Sequence, residues 1–170
     1  GSEVTKISVL QIDGKKTSFH GDHLLADISI IDPFFIKNAP INVIKNSAID
    51  ACAQCSESFD SKMANNYTKF LCKKAFKILE TAIINEKYTD LAYGAMISGL
   101  GFGNSGTTLG HALSYVFSNE GFSHGHALAF TTTVAHKFNN SQFYERFKKL
   151  VEHFNFDPIH LTQNLSDAAK

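Results

Sequence analysis

The stretch PINVIKNSAIDACAQCSESF, residues 40–59, predicts a long amphipathic helix and decides the fold class of the chain. Its apolar residues recur three and four positions apart, the spacing that places side chains on one face of an α-helix. Pro40 stands at the start, where proline is tolerated because the first helical N–H needs no partner within the helix. A helix with one apolar face has to bury that face, so the stretch indicates a helical domain.

The flanking sequence adds further helices and a short β-ribbon. Downstream, the same apolar spacing predicts helices at 65–85, 88–99, 111–117, 127–138 and 142–154. Upstream, residues 6–12 favour a strand that runs into the hairpin signal Asp13-Gly14, and residues 27–31 alternate as a further strand would. The predicted fold class is therefore mainly α, a helical bundle with a short β-ribbon at the N-terminus. Because such a ribbon usually completes a larger sheet, we expect a piece of a longer protein.

Composition excludes several classes of protein. The 170 residues contain 16 Lys and Arg and 16 Asp and Glu, without the basic excess that nucleic-acid binding needs. No apolar run is long enough to span a membrane and no signal peptide is recognisable, so we expect a cytoplasmic protein. Three cysteines are too few for a disulfide framework, and the pair Cys52 and Cys55 is interpreted as ordinary small residues of a helix.

The glycine-rich segment GFGNSG, residues 101–106, matches the G-x-G-x-x-G pattern of dinucleotide-binding loops. Such a loop needs a strand before it and a helix after it, whereas the residues before Gly101 are predicted to be helical. We interpret the segment as a place where small residues let helices approach closely, and not as a phosphate site.

Three side chains from separate segments are candidates for a metal site. Asp50 lies in an apolar helix, where an unpaired carboxylate is costly, and Gln54 follows four residues later on the same face. His111 opens an apolar helical stretch, and His124 stands in a turn that leads into another helix. A divalent metal shared by Asp50 and both imidazoles would satisfy all three groups. Spacing alone leaves open that the Asp is a cap or ion-pair partner and that each His is a hydrogen-bonded core residue.

Other histidines receive less weight as ligands, because each stands in a polar or surface-like context. They are His20, His23, His136, His153 and His160.

Seven motifs follow one another along nearly the whole chain: GSEVT (1–5), LLADISIIDP (24–33), IDACAQCSE (49–57), the segment 92–106, HALSY (111–115), SHGHA (123–127) and KFN (137–139). In order and spacing they resemble motifs of the iron-containing (group III) alcohol dehydrogenases. Those motifs are T-G-S-E-V-T, L-L-P-D-x-x-I-x-D-P, D-A-L-x-H-A-x-E, A-x-x-x-A-G-x-A-F-x-N-x-G, H-A-x-A-H, P-H-G-x-A-N and R-F-N. The spacing departs from the family only by one residue missing between the two histidine motifs.

The resemblance implies the C-terminal metal-binding domain of that family, within the dehydroquinate synthase-like superfamily. Residues 1–33 would be a ribbon and linker at the edge of a missing N-terminal nucleotide-binding domain. Residues 34–170 would be the helical metal-binding domain, truncated at its C-terminus. The missing domain would hold NAD or NADP, with Lys16 near the nicotinamide end. The full-length protein would be a homo-oligomer.

The metal ligands implied by the resemblance are Asp50, His111 and His124. The family has a fourth ligand, a His, where this chain has Gln54. An amide oxygen is a weaker donor than imidazole, so Gln54 is a candidate ligand and the ion, Fe or Zn, stays open. Tyr115 replaces the second His of H-A-x-A-H, and it either relays a proton as a catalytic residue or packs against its neighbours.

The function implied by the resemblance is that of a metal-dependent, NAD(P)-linked alcohol dehydrogenase or aldehyde reductase acting on a small substrate. The metal would polarise the substrate oxygen as a Lewis acid. Gln54 together with HALSY and SHGHA resembles a subgroup that acts on anionic aldehydes, such as carboxylic semialdehydes or phosphonoacetaldehyde. Lacking a cofactor domain, the isolated chain is expected to have little or no activity.

Three alternatives remain. One is a glycerol-dehydrogenase-like domain, and another is a dehydroquinate-synthase-like domain, against which Asp50 counts because those lyases usually present Glu there. The third is a non-catalytic helical module in which Asp50 and the histidines are structural.

Overall fold

The computed structural model describes residues 1–13 and 15–160, apart from the side chains of Lys15 and Lys16. Strand β1 (Ile7–Ile12) pairs antiparallel with β2 (Lys15–His20), with Ile7 opposite His20. The helices are α1 (Phe34–Lys37), α2 (Ile41–Asp60), α3 (Asn66–Ile84), α4 (Asp90–Ser105), α5 (Leu109–Asn119), α6 (His124–Phe138) and α7 (Tyr144–Phe154). The predicted fold, mainly helical with an N-terminal hairpin, is confirmed. Among these helices, none combines the length and the apolar character needed to cross a membrane.

Helix α2 lies at the centre of the bundle and contacts α3, α4 and α6. Its inward face carries small side chains, among them Ala48, Cys52 and Cys55, which are almost completely buried. Small residues let neighbouring helices come close. Helix α4 is close enough to α2 for Ser98 to donate a hydrogen bond of 3.0 Å to the carbonyl of Ala51. Burial raises the pKa of both α2 thiols, which keeps them unreactive core residues. This agrees with the interpretation of the C-x-x-C pair as ordinary small residues.

Helix α7 packs against α6, α2 and α3. The ring of Phe143, just before α7, packs against Phe76 of α3 with centroids 4.7 Å apart. Arg146 lies over the same Phe76 ring at 4.7 Å and donates from Nε to Oε1 of Glu80 at 2.8 Å. Helices α5 and α6 pack against each other, and α6 also packs against α2.

The strand predicted at residues 27–31 is wrong. In the described ranges the sheet has two strands only, β1 and β2, and residues 27–31 pair with neither. Ile28 and Ile30 are both largely exposed. Ser29 donates a hydrogen bond to the carbonyl of Glu3. The alternation of apolar and polar residues there does not correspond to a strand with one buried face.

The glycine-rich segment belongs to α4, which continues past the predicted end at Gly99 as far as Ser105. A Cβ at Gly101 would lie 2.6 Å from the Sγ of Cys72, so the missing side chain is what lets α4 approach α3. Gly106 follows the helix with φ +73°, a conformation that glycine adopts readily. The segment is therefore a close helix–helix contact, as expected, and lacks the strand-to-helix geometry of a dinucleotide loop.

Candidate metal centre

Three helices bring Asp50, His111 and His124 together. Asp50 lies in the middle of α2, His111 in the first turn of α5, and His124 is the first residue of α6. Each offers one ligand atom, and these atoms all lie within 4.8 Å of one another. The Oδ1 of Asp50 is 3.4 Å from Nε2 of His111 and 3.7 Å from Nε2 of His124. The fold thus places one carboxylate and two imidazoles around a single point.

A fourth side chain, Glu57, contacts the far side of the His111 ring. Glu57 also belongs to α2 and is only 1 % exposed. Its Oε2 lies 2.8 Å from Nδ1 of His111, and it accepts hydrogen bonds from the backbone N–H groups of Thr108 (2.9 Å) and His111 (3.4 Å). Since a carboxylate can only accept, Nδ1 carries the proton. The Nε2 of His111 is buried and makes no hydrogen bond of good geometry with a described residue, although Oδ1 of Asp50 lies 3.4 Å away.

The two carboxylates of α2 control the charge of His111. Burial opposes protonation of the ring, but the contacts with Asp50 and Glu57 outweigh it and raise the pKa of His111 to about 9. Burial alone would raise the pKa of Glu57. The hydrogen bonds from His111 and from the backbone of Thr108 outweigh that effect and leave the pKa of this carboxyl below its usual value. Without a metal, an imidazolium therefore lies between two carboxylates near neutral pH.

His124 lies at the more open side of the cluster, with about a third of its side chain exposed (31 %). Its Nδ1 is 3.4 Å from the Oγ of Ser114, which donates to the carbonyl of His111 at 2.7 Å. The ring of Tyr115 lies 6.5 Å from the His124 ring, measured between centroids. Tyr115 is thus beside the cluster, and its catalytic role stays a prediction.

Gln54 and Lys16 are the remaining two predicted site residues. Gln54 donates from Nε2 to Oδ1 of Asp50 at 2.9 Å, so its amide orients the carboxylate. Lys16 belongs to β2, but its side chain lies outside the described residues.

The cluster opens into a cleft of about 910 Å³ between the hairpin and the helices. Its walls include Asp50, His111, His124, Tyr115 and also His20 of strand β2. A cleft of this size suits a small-molecule site. His20, which the sequence gave little weight, therefore shares the cleft with the candidate ligands.

Sequence reasoning missed two buried residues near the site. His136 is 2 % exposed and its Nε2 lies 2.8 Å from Oγ of Ser56, so the surface-like context expected for it is wrong. Burial lowers its pKa, and the contact between α6 and α2 that causes the burial is not visible in the local sequence. Glu57 did carry a signal, because it follows Asp50 by seven residues, two turns along the same face of α2.

The sequence of the chain matches a known protein family. Residues 44–170 match the model described as Fe-containing alcohol dehydrogenase family, C-terminal. The chain belongs to the Fe-containing alcohol dehydrogenase family. The resemblance seen in the sequence motifs is thereby confirmed. The enzymes of this family are oxidoreductases that use a divalent metal and NAD(P) and act on alcohols and aldehydes.

Two curated relatives illustrate the range of this alcohol dehydrogenase family. Long-chain-alcohol dehydrogenase 1 of Geobacillus thermodenitrificans is 35% identical over 123 residues, covering 68% of this chain and 31% of that protein. The 4-hydroxybutyrate dehydrogenase of Clostridium kluyveri is 32% identical over 127 residues, covering 68% of this chain and 34% of that protein. The matched part thus spans about a third of the length of either relative.

Solved structures of the family share the fold. The sulfoacetaldehyde reductase of Bifidobacterium kashiwanohense, solved with NAD+, superposes with a TM-score of 0.80 at 23% identity. The superposition covers 91% of this chain and 49% of that one.

Proposed function

We propose that Asp50, His111 and His124 bind one divalent metal ion, and that the chain is the metal-binding part of an NAD(P)-linked alcohol dehydrogenase or aldehyde reductase. The convergence of one carboxylate oxygen and two imidazole nitrogens within 4.8 Å carries the proposal. One carboxylate with two imidazoles is a donor set that suits zinc and ferrous iron, and it leaves coordination positions open for a substrate. The approach of Nε2 of His111 to Oδ1 of Asp50 supports it, since the two atoms lie 3.4 Å apart without a hydrogen bond of good geometry and a metal between them would satisfy both.

The proposed roles of the surrounding residues follow from their positions. When bound, the metal supplies Lewis-acid polarisation of the substrate oxygen. As it stands, Gln54 orients Asp50 by donating from Nε2 to Oδ1. After a half-turn of the amide that hydrogen bond is lost, and the amide oxygen becomes a weaker fourth ligand in its place. Tyr115, beside His124, donates or accepts the substrate proton. We propose that Lys16 lies near the nicotinamide.

The proposed substrate is a small aldehyde or alcohol that carries an anionic group, such as a carboxylic semialdehyde or phosphonoacetaldehyde. The relative from Clostridium kluyveri supports this choice, since its name specifies the carboxylate 4-hydroxybutyrate. The relative from Geobacillus is named for long-chain alcohols, so a substrate screen needs both classes. We further propose that the parts of the whole protein beyond the matched third bind NAD(P), and that the 170-residue chain alone turns over little or no aldehyde.

The metal content of the purified chain tests the proposed function. After dialysis against Zn²⁺, or against Fe²⁺ without oxygen, elemental analysis should find one ion per chain, because three donor atoms converge on one point. His111→Ala and His124→Ala should each lose it. His126→Ala is the matched control, since the Nε2 of His126 contacts the carbonyl of Asp157 and not the cluster. A wild-type chain that binds neither metal would contradict the proposal and favour a purely structural cluster.

The protonation of His111 predicts how metal binding depends on pH. Because the pKa of His111 is raised to about 9, the metal-free site holds a proton that a metal has to displace. Lowering the pH therefore opposes binding, and the apparent affinity for Zn²⁺ should rise about tenfold per pH unit between about pH 7 and pH 8.5, one proton being released. Calorimetric titration in two buffers of different ionisation enthalpy measures that proton directly. An affinity independent of pH over this range would contradict the assignment of a raised pKa to His111.

A further inference from the structure

We infer that Glu57 is a positioning residue of the metal centre, which fixes the His111 ring with Nε2 towards Asp50 and caps the helix that carries His111. The inference rests on the proposed function, since it takes His111 as a ligand. Glu57 is not one of the three candidate ligands. It contacts Nδ1 of His111, on the side of the ring opposite to the Nε2 atom that faces Asp50.

The hydrogen bonds of Glu57 join the ring and the backbone of α5. One oxygen, Oε2, accepts from Nδ1 of His111 and from the backbone N–H groups of Thr108 and His111. Helix α5 receives no cap from the side chain of its own N-cap residue, Thr108. Two of its first N–H groups, those of Thr108 and His111, are satisfied instead by a carboxylate that belongs to α2. A negative charge is also favourable at this end of a helix.

The surroundings of Glu57 hold its carboxylate in place. It is 1 % exposed, and Gly110 of α5 and Thr132 of α6 lie against it. A Cβ at Gly110 would overlap Oε1 of Glu57 and would lie 2.6 Å from Oγ1 of Thr132. The absence of that carbon allows α5 to pack directly onto the carboxylate. A buried charge is costly unless it is paired. Oε2 is paired with the His111 ring and the start of α5, whereas Oε1 is buried and has no hydrogen-bond partner among the described residues.

Helix α2 therefore acts on the proposed ligand His111 from both sides. Asp50 faces its Nε2, and Glu57, two turns later, binds its Nδ1–H. A carboxylate on the second ring nitrogen sets the tautomer, orients the ring and strengthens the imidazole as a donor. Loss of such a partner typically reduces metal affinity about 10- to 100-fold.

Glu57→Gln tests the inference, because the amide keeps the size of the side chain and removes its charge. We expect the Zn²⁺ affinity, measured by competition with a chromophoric chelator, to fall about 10- to 100-fold. In the Zn²⁺-loaded chain the Nδ1–H proton of His111 should move upfield and exchange faster with water, as its charged acceptor is lost. A residue that only stabilised the fold would not change that proton.

Glu80→Gln is the matched control, since Glu80 is the carboxylate of α3 that pairs with Arg146 of α7 and not with a residue of the donor cluster. It should lower the Tm and leave the Zn²⁺ affinity unchanged. If Glu57→Gln fails to fold, Glu57→Asp tests the inference instead. It keeps the negative charge but moves it away from His111 by one methylene, so Zn²⁺ binding should still weaken at least severalfold.

The inference is overturned if the folded Glu57 variant binds Zn²⁺ as tightly as wild type with an unchanged Nδ1–H signal. That result leaves the proposed function standing, provided that wild type binds one ion. A wild-type chain without bound metal would instead refute the proposed function itself.

Discussion

Asp50→Asn should abolish stoichiometric Zn²⁺ binding while the helical fold stays in place. Asp50 supplies the carboxylate among the three convergent donors, and an asparagine of equal size can still accept the hydrogen bond from Gln54. Since loss of an outer partner alone reduces metal affinity about 10- to 100-fold, loss of a ligand should weaken it by more than about 100-fold.

Thermal unfolding with and without metal measures this loss. Zn²⁺ at about 100 times its Kd stabilises a protein by about 2.7 kcal/mol, which for a chain of this size raises the Tm by about 5 to 10 °C. The wild-type chain should show that rise, and Asp50→Asn should show none. Asp60→Asn is the matched control, because Asp60 ends the same helix and is exposed to solvent. An Asp50→Asn variant that keeps the metal-induced rise in Tm would show that the donor cluster is not the metal site.

The helices were predictable because their signal is local. Apolar spacing located α2 and α3 to within a residue or two at each end, since each helix buries one face against its neighbours. The strand prediction for residues 27–31 was wrong because alternation of apolar and polar residues cannot by itself show whether a partner strand exists. Helix α4 continues beyond its predicted end at Gly99, because the close packing of α4 against α3 outweighs the low helix propensity of glycine.

The sequence indicated which residues form the candidate site, but it did not indicate how their side chains are arranged. Ordered motifs indicated Asp50, His111 and His124, but no sequence pattern gives the distances between atoms that belong to three helices. Glu57 was missed for the same reason, because its partner His111 is 54 positions away. His136 was misjudged because its burial depends on how α6 lies against α2. Long-range packing therefore decides which of the eight histidines of the chain share a site.

Gly125→Ala should displace His124 from the metal site although it changes no donor atom. Gly125 follows His124 at the start of α6, and a Cβ there would overlap the carbonyl oxygen of Asn46 and lie 2.6 Å from its Cα. These are backbone atoms of α2, one turn before Asp50, so they cannot move aside as a flexible side chain would. Ser123 also binds Asn46, from Oγ to Oδ1 at 2.8 Å, which pins the first turn of α6 to the same place.

The added methyl group of Gly125→Ala should push the start of α6 away from α2 and lengthen the 3.7 Å separation between His124 and Asp50. Overpacking of this kind costs about 1–3 kcal/mol, and the better helix propensity of alanine returns only about 1 kcal/mol. We expect a Zn²⁺ affinity at least about tenfold weaker, with a Tm lower by only a few degrees, because the misplaced group is a ligand. Gly103→Ala in α4 is the matched control, since its Cβ would lie 3.2 Å from a side-chain atom of Thr5 and 3.6 Å from the backbone Cα of that residue. If both variants bind Zn²⁺ like wild type, the close approach of α6 to α2 does not set the position of His124.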